Sequence, residues 1–151
     1  MARTDPNGNL TKFTFDGNGN RATETRADGA TWRFTYDENH NLQTVTDANG
    51  SVTTFVYDSL DRMVEKRIAR ASSILGPSKI TLTLDDLGRL TGTSTDEGVQ
   101  EGFAWDSLDR QLSESLEFPS FPRKTILKSY DAASNLIGVT YPSGLDLPLA
   151  V

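Results

Sequence analysis

Residues 31–50 of the chain read TWRFTYDENHNLQTVTDANG. In the first part Trp32, Phe34 and Tyr36 alternate with polar residues, which predicts a strand with one apolar face. Asp37 then begins a polar stretch, and a second stretch containing Asp and Gly ends the segment; both compositions are typical of tight turns. The segment therefore predicts two strands and two turns, which is a β-hairpin and its connection to the next one.

The same arrangement recurs along the 151 residues. In six places a bulky apolar residue precedes an aspartate, and the pairs are Phe15-Asp16, Tyr36-Asp37, Tyr57-Asp58, Leu84-Asp85, Trp105-Asp106 and Tyr130-Asp131. The aspartates are separated by 21, 21, 27, 21 and 25 residues, so the unit is about 21 residues long. A short and regular period predicts a repeat architecture. No stretch shows a sustained helical period, so we expect an all-β array of antiparallel hairpins.

A second turn signal recurs 13 residues after the aspartate in the regular units. Its glycines are Gly29, Gly50, Gly98 and Gly144, and Gly8 occupies the same place in a preceding, incomplete unit. The residue three positions after each aspartate is Gly, His, Asp, Gly, Asp or Ser. Most of these tolerate the left-handed backbone that closes a type I turn with a G1 bulge.

Two units are longer than the rest, by six residues around 69–77 and by four around 118–122. Both insertions fall at the second turn and predict enlarged loops on one edge, serving as surface loops or as a binding face. After residue 144 an alternating apolar pattern continues, at Leu145, Leu147, Leu149 and Val151. We expect one array over 1–151, with about six repeats and partial units at both ends, cut from or ending a longer array.

The composition excludes several classes of function. A net charge of −6 and a pI near 4.7 disfavour a nucleic-acid interface. Only 36% of residues are apolar, which disfavours a large core. There is no cysteine for a disulfide or thiolate site. Neither a secretory signal nor an apolar run long enough to insert in a membrane is visible, so a soluble segment is expected.

The Tyr36-Asp37, Tyr57-Asp58 and Tyr130-Asp131 pairs, with their downstream turns and 21-residue period, resemble the Rhs repeat, also called the tyrosine–aspartate (YD) repeat. The resemblance runs from about residue 4 to 144; Leu84 and Trp105 depart from it at the tyrosine position. It implies hairpins that wind into a spiral β-sheet. In large bacterial toxin proteins and in animal teneurins this sheet closes into a hollow shell, which in the bacterial proteins encloses a toxin domain.

The resemblance also implies the partners. Six repeats are too few to close a shell, so the expected partner is the rest of a larger Rhs-type protein, or further copies of the chain through edge-strand pairing, with a toxin or other polypeptide as cargo. Such a protein is expected in the bacterial cytoplasm before export, or at the cell surface or secreted. An orphan remnant of a larger gene is a third interpretation.

Catalysis is not predicted. His40 is the only histidine and occupies a turn position held by glycine in other units. Without cysteine or a second histidine, nucleophilic catalysis of the Cys-His type is excluded. The carboxylate pairs Asp58/Asp61 and Asp106/Asp109 recur in the same turn positions and are interpreted as turn formers. We therefore expect no enzyme activity, no catalytic residue, no metal site and no cofactor.

The aromatic residues leave one alternative open. Trp32 and Trp105 could stack on a sugar, which favours a carbohydrate- or protein-binding surface module. Alternatively, the aromatic residues form cross-strand pairs that stabilise the sheet itself. Recurrence of the aromatic positions in nearly every repeat favours the second interpretation.

Overall fold

The computed structural model describes residues 1–70, 75–142 and 146–148, the last of these for the backbone alone. These ranges contain fourteen β-strands and no helix. The strands are β1 (Ala2–Thr4), β2 (Leu10–Phe15), β3 (Arg21–Thr25), β4 (Thr31–Tyr36), β5 (Leu42–Thr46), β6 (Val52–Tyr57), β7 (Met63–Ala69), β8 (Lys79–Leu84), β9 (Leu90–Thr95), β10 (Gln100–Trp105), β11 (Gln111–Phe118), β12 (Phe121–Tyr130), β13 (Leu136–Thr140) and β14 (Asp146–Pro148).

The chain divides into two compact units, Met1–Lys79 and Ile80–Val151. In the first unit, strands β1 to β7 pair with their neighbours in chain order, and every pairing is antiparallel. In the second unit, β8 to β14 pair in the same way. The predicted all-β array of antiparallel hairpins is therefore confirmed.

Every hairpin that is closed by an apolar-Asp pair has a register shift directly before the aspartate. In the β4–β5 hairpin, Thr35 pairs with Thr44, whereas the next residue, Tyr36, pairs with Leu42. Gln43 is thus the extra residue of a β-bulge, which increases the local twist of the strands. The same shift precedes Phe15, Tyr57, Leu84, Trp105 and Tyr130. The bulge is a property of the repeat, set by the turn that follows it.

No described residue is buried. On β4 the aromatic positions Trp32, Phe34 and Tyr36 are half-buried, whereas Arg33 and Thr35 between them are exposed. Cross-strand threonine pairs occupy the exposed side, with hydroxyl oxygens 2.7 Å apart between Thr14 and Thr23 and again between Thr35 and Thr44. Contacts between neighbouring strands therefore stabilise each unit in place of a central core.

The expectation of an enlarged loop around 118–122 was wrong. Strands β11 and β12 continue to the end of the insertion, where Phe118 pairs with Phe121 across the two-residue connection Pro119–Ser120. The inserted residues extend the ladder because pairing satisfies their backbone groups. The other insertion separates β7 from β8, and there the Arg70 guanidinium binds the carbonyl oxygens of Gly76 and Pro77.

Some predicted features lie outside the described residues. These are the turn glycine Gly144, the centre of the first insertion at 71–74, and the apolar side chains that follow residue 144.

Candidate functional site: a ladder of aspartate turns

Both turn signals of the repeat fold into one type of turn. In the turn at Asp37, the Asp37 amide donates to the carbonyl oxygen of Asn41 at 3.0 Å, and the His40 amide donates to that of Asp37 at 3.1 Å. The same two bonds form in turns that begin at Asp5, Asp16, Arg26, Asp47, Asp58, Asp85, Thr95, Asp106 and Asp131. The repeats without an insertion therefore use the same five-residue turn twice, once at each edge of the sheet.

The fourth residue of each turn has a left-handed backbone. It is glycine at Gly8, Gly19, Gly29, Gly50, Gly88 and Gly98, with φ between 82° and 86°. In the remaining turns it is His40, Asp61, Asp109 or Ser134, with φ between 58° and 67°. A side chain at this position costs free energy that glycine avoids, and Asp is among the residues that adopt it most readily. This requirement accounts for the residue types found three positions after each aspartate.

The aspartate carboxylate holds the turn together. Asp58 Oδ1 accepts hydrogen bonds from the backbone amides of Leu60 at 2.9 Å and Arg62 at 3.0 Å. Asp58 Oδ2 accepts from Arg62 Nε at 2.7 Å. Asp85 and Asp106 make the same set of bonds with an arginine as the fifth residue. Asp5, Asp16, Asp37 and Asp131 make it with an asparagine.

These bonds favour the charged form of the carboxylate. The side-chain hydrogen bond from Arg62, followed by the backbone bond from the same residue, lowers the pKa of Asp58 below its usual 3.8. Asn135 lowers the pKa of Asp131 in the same way. At Asp106 partial desolvation raises the pKa, but the bonds from Arg110 outweigh it and the net shift is downward. Such groups act as permanent acceptors, and none is a proton donor near neutral pH.

The fifth residue also links one turn to the next in the second unit. Arg89 Nη1 donates to the carbonyl oxygen of Asp106 and to Asp109 Oδ1, both at 2.8 Å. Arg110 Nη1 donates to the carbonyl oxygen of Asp131 at 3.0 Å and lies 3.3 Å from Ser134 Oγ. Each guanidinium therefore closes its own turn and contacts the left-handed residue of the following turn.

Asparagine plays the same part in the first unit. Asn41 Nδ2 donates to Asp61 Oδ1 at 2.7 Å, and Asn39 Nδ2 donates to the same oxygen at 2.8 Å. Asn20 Nδ2 lies 3.1 Å from His40 Nδ1. We name the linked turns at Asp16, Asp37 and Asp58, and those at Asp85, Asp106 and Asp131, the turn ladder of their respective units.

The aromatic residue before the aspartate anchors its hairpin to the preceding one. Tyr57 Oη donates to the carbonyl oxygen of Leu42 at 2.9 Å. The equivalent bonds are Tyr36 to Arg21 at 3.2 Å, Trp105 Nε1 to Leu90 at 2.7 Å, and Tyr130 to Gln111 at 3.1 Å. In each pair the acceptor is the first residue of the strand that follows the preceding aspartate turn. A tyrosine or tryptophan is suited to this position because it combines a large apolar ring with one donor.

The tryptophans proposed for sugar stacking are occupied by protein groups. The Arg26 guanidinium carbon lies 4.1 Å from the Trp32 ring centre, so it covers one face of the ring. Glu24 forms ion pairs with two arginines, with Oε1 at 3.7 Å from Arg26 Nε and Oε2 at 2.8 Å from Arg21 Nη1. Trp105 is held at its indole nitrogen by Leu90. These contacts place both rings in the packing of the sheet.

The groups considered for catalysis also lie in the turn ladder. His40 contacts Asn20, which in turn binds Asp16 Oδ2 at 3.1 Å. Asp61 accepts two amide hydrogen bonds and Asp109 accepts the Arg89 bond described above. Among the described residues, no group of three or more His, Asp or Glu side chains could hold a metal ion. No described helix is long and apolar enough to cross a membrane.

The fifth turn residue is the functional position that the sequence reasoning missed. In seven of the ten turns this residue is Asn or Arg, namely Asn9, Asn20, Asn41, Arg62, Arg89, Arg110 and Asn135; the other three turns have Ala30, Ser51 and Val99. The signal was present, because every one of these seven Asn or Arg residues lies four residues after an aspartate. Both side chains donate hydrogen bonds, and arginine carries further donors with which it can reach a second partner.

These contacts define a β-hairpin repeat protein in which, within each unit, successive repeats are bound together through their turns and through aromatic residues. The RHS repeat family model matches residues 1–31, 16–52 and 36–72. Residues 1–72 are therefore a segment of RHS repeats. In residues 80–142 the same turns recur at Asp85, Asp106 and Asp131, and the aromatic anchor recurs at Trp105 and Tyr130.

Solved structures share this fold. The crystal structure of TcdB2-TccC3 is similar over 87% of this chain, with a TM-score of 0.75 and 16% identity. The Tc holotoxin pore of Photorhabdus luminescens is similar over 95% of this chain, with a TM-score of 0.77 and 17% identity. This chain spans 8% of the length of either one. No curated protein sequence matches it.

Proposed function

We propose that this chain is a wall segment of a larger RHS-repeat β-shell that encloses a polypeptide cargo. The observation that carries the proposal is the lack of any buried residue among those described, in a sheet built from half-buried aromatic positions. The chain exposes 10238 Å², whereas a compact protein of 16.6 kDa is expected to expose about 7,600 Å². The excess supports the proposal, in which neighbouring repeats and an enclosed polypeptide cover this surface.

The links between repeats support a wall that extends by addition. Four hairpins donate an aromatic hydrogen bond to the hairpin before them, through Tyr36, Tyr57, Trp105 and Tyr130. The turn ladder adds a second link at the edge. Repeat proteins of this kind gain stability from each nearest-neighbour interface, so a long array is more stable than a short one.

The similarity of the fold to solved structures also supports the proposed role as a wall segment. The Tc holotoxin pore is a toxin by name, and this chain corresponds to a small part of it and of TcdB2-TccC3. Its role in a protein of that kind is mechanical, since the carboxylates of the turn ladder serve as fixed hydrogen-bond acceptors and His40 closes a turn. We assign it no covalent step.

Protease protection in the natural full-length protein tests the proposal. We expect an enclosed polypeptide to survive trypsin while the shell is intact. It should become sensitive when Arg89 and Arg110 are both replaced by alanine, which cuts the turn ladder of the second unit. The Arg33→Ala variant is the matched control, because Arg33 is exposed and its side chain makes no hydrogen bond in the described part of the chain. A polypeptide digested equally in wild-type and ladder variants would contradict an enclosing role.

A further inference from the structure

The end of the long β11–β12 hairpin carries an apolar groove of about 510 Å³, lined by Leu116, Phe118, Phe121, Pro122 and Lys124. We propose that this groove docks an extended polypeptide segment that carries both apolar and acidic side chains. The proposal concerns a binding surface of the second unit and does not require that the array be part of a closed shell.

The large apolar side chains of the groove are exposed on the surface of the chain. Leu116, Phe118 and Phe121 have 36%, 46% and 69% of their surface exposed. The two phenylalanines face each other at the last pair of the hairpin. Neither makes the aromatic anchor bond that characterises the repeat. A cluster of large apolar groups on a surface is typical of a protein interaction site.

The hairpin end is held in place before any partner arrives. Pro119 packs against the turn at Gly98 so closely that a Cβ atom on that glycine would lie 2.9 Å from Pro119 Cγ. On the strands below, Arg123 Nε bonds Glu117 Oε2 at 3.0 Å. A preformed groove loses little conformational entropy on binding, which favours affinity.

The positive charge in the groove favours a ligand with acidic side chains. Lys124 is the one charged residue in its lining, and it has no ion pair within the described residues. The neighbouring cations are engaged, since Arg123 binds Glu117 and Lys128 binds the side-chain oxygen of Gln111. An ammonium beside apolar rings is complementary to a carboxylate that is flanked by apolar groups.

The backbone of the hairpin limits how a partner can bind. Strand β11 already pairs with β10 and β12, and β12 pairs with β13. The β12–β13 pairing begins at Leu127, so the backbone edge of residues 121–126 is not paired with β13. A partner that follows this edge can also insert side chains into the groove. A volume of about 510 Å³ is within the ordinary range of ligand sites and accommodates roughly three or four apolar side chains.

Fluorescence anisotropy with a labelled peptide tests the proposal on the whole chain. The probe is a fluorescein-labelled peptide of alternating Glu, Leu and Phe residues, and its counterpart carries Lys in place of Glu. We expect the acidic probe to bind the wild-type chain at least tenfold more tightly than the basic one. Phe121→Ser should weaken binding about tenfold, and Lys124→Glu should reverse the preference between the probes. Leu108→Ser is the matched control, because Leu108 is 62% exposed and lies outside the groove.

Three outcomes would overturn the proposal. Equal binding of the acidic probe to wild type, Phe121→Ser and Lys124→Glu would place the peptide elsewhere. Displacement of the probe by dodecanoate at similar concentration would assign the groove to an anionic amphiphile. A wild-type dimer in light scattering that becomes a monomer in Phe121→Ser would make the groove an interface between copies of this chain. Circular dichroism of each variant checks that the sheet is retained.

Discussion

The hydroxyl group of Tyr57 donates a 2.9 Å hydrogen bond to the carbonyl oxygen of Leu42, fifteen residues earlier in the chain. The bond joins two successive hairpins beside the β-bulge that shifts the register within each of them. Burial, together with the charge of Asp37, raises the pKa of Tyr57, so the hydroxyl remains a donor well above neutral pH. The most frequent residue pair of the repeat, Tyr-Asp, thus combines an inter-hairpin bond with the turn that follows it.

Removing this hydroxyl group tests the anchor. Tyr57→Phe keeps the ring but leaves the Leu42 carbonyl without its donor, and we expect a loss of about 1 kcal/mol in the free energy of unfolding. Urea denaturation followed by circular dichroism measures it. Tyr141→Phe is the control, because Tyr141 makes no side-chain hydrogen bond within the described residues. Equal stability of the two variants would show that the anchor bond contributes nothing.

The left-handed turn position predicts opposite effects for two glycines of one turn. Gly19 has φ of 86°, whereas Gly17 does not have a left-handed backbone, and a Cβ atom would meet no other atom at either site. Gly19→Ala should destabilise the chain by about 1 kcal/mol through backbone strain alone. Gly17→Ala should be neutral or slightly stabilising, because it restricts the unfolded chain. Thermal denaturation of both variants checks this, and similar melting temperatures would contradict it.

Arginine in the turn ladder should not be replaceable by lysine. Arg89 binds the Asp85 carboxylate with one nitrogen and the Asp106 carbonyl and Asp109 carboxylate with another. A lysine ammonium lacks this fork, so Arg89→Lys is expected to lower the melting temperature. Arg33→Lys, at an exposed strand position, should leave it unchanged. Differential scanning calorimetry compares them, and a melting temperature of Arg89→Lys equal to wild type would remove the ladder from the account.

The turn carboxylates predict a loss of stability in acid. Hydrogen bonds lower the pKa of Asp58 and Asp131 below 3.8 in the folded chain. The unfolded chain therefore takes up more protons as the pH falls below about 4, and the stabilisation is lost as the pH passes through the folded-state values. Urea denaturation between pH 7 and pH 2 should show this decline.

A substitution identifies the groups responsible for the acid effect. In Asp131→Asn the decline should be smaller, because one titrating group has been removed, and the stability at pH 7 should be lower. Asp86→Asn is the control, since Asp86 is next to a turn carboxylate and has no hydrogen bond of its own in the described part of the chain. An identical acid profile in wild type and Asp131→Asn would contradict the assignment.

The tryptophans separate a structural role from sugar binding. Trp32 packs under Arg26, and Trp105 donates to the Leu90 carbonyl. Trp32→Ala and Trp105→Ala should each destabilise the chain by about 2 kcal/mol, less than in a fully buried core. Trp105→Phe should recover the part that comes from the ring. Denaturation and a glycan array measure both roles; full stability with lost glycan retention would favour the binding module.

The strands and turns could be predicted from the sequence because their causes are local. Alternation of Trp32, Phe34 and Tyr36 sets one strand face, and the aspartate with its left-handed residue sets the turn. The links between repeats could not be predicted in the same way, because Asn41 and Asp61 are brought together only by the register of intervening strands. A spacing of twenty residues carries no local signal of contact.

The hairpin end at Phe118 and Phe121 escaped prediction for a different reason. Two prolines in five residues are typical of a loop, so the sequence predicts a loop here. In the structure Pro119 lies in the two-residue connection. Pro122 is the second residue of β12, and proline is tolerated at the start of a strand. Phe118 and Phe121 then form the last cross-strand pair, so this hairpin is longer than its neighbours. The prolines therefore predict the position of the turn correctly, but the turn has two residues instead of an enlarged loop.

The mass of the native polypeptide in its source cell tests the central claim most directly. An immunoblot with an antibody against residues 31–50 measures it. The account predicts a band far above 16.6 kDa, because the proposed function makes this chain one part of the wall of a larger repeat protein. A single band at 16.6 kDa would contradict that claim and would identify a free-standing array that must cover its aromatic face by binding itself or a partner.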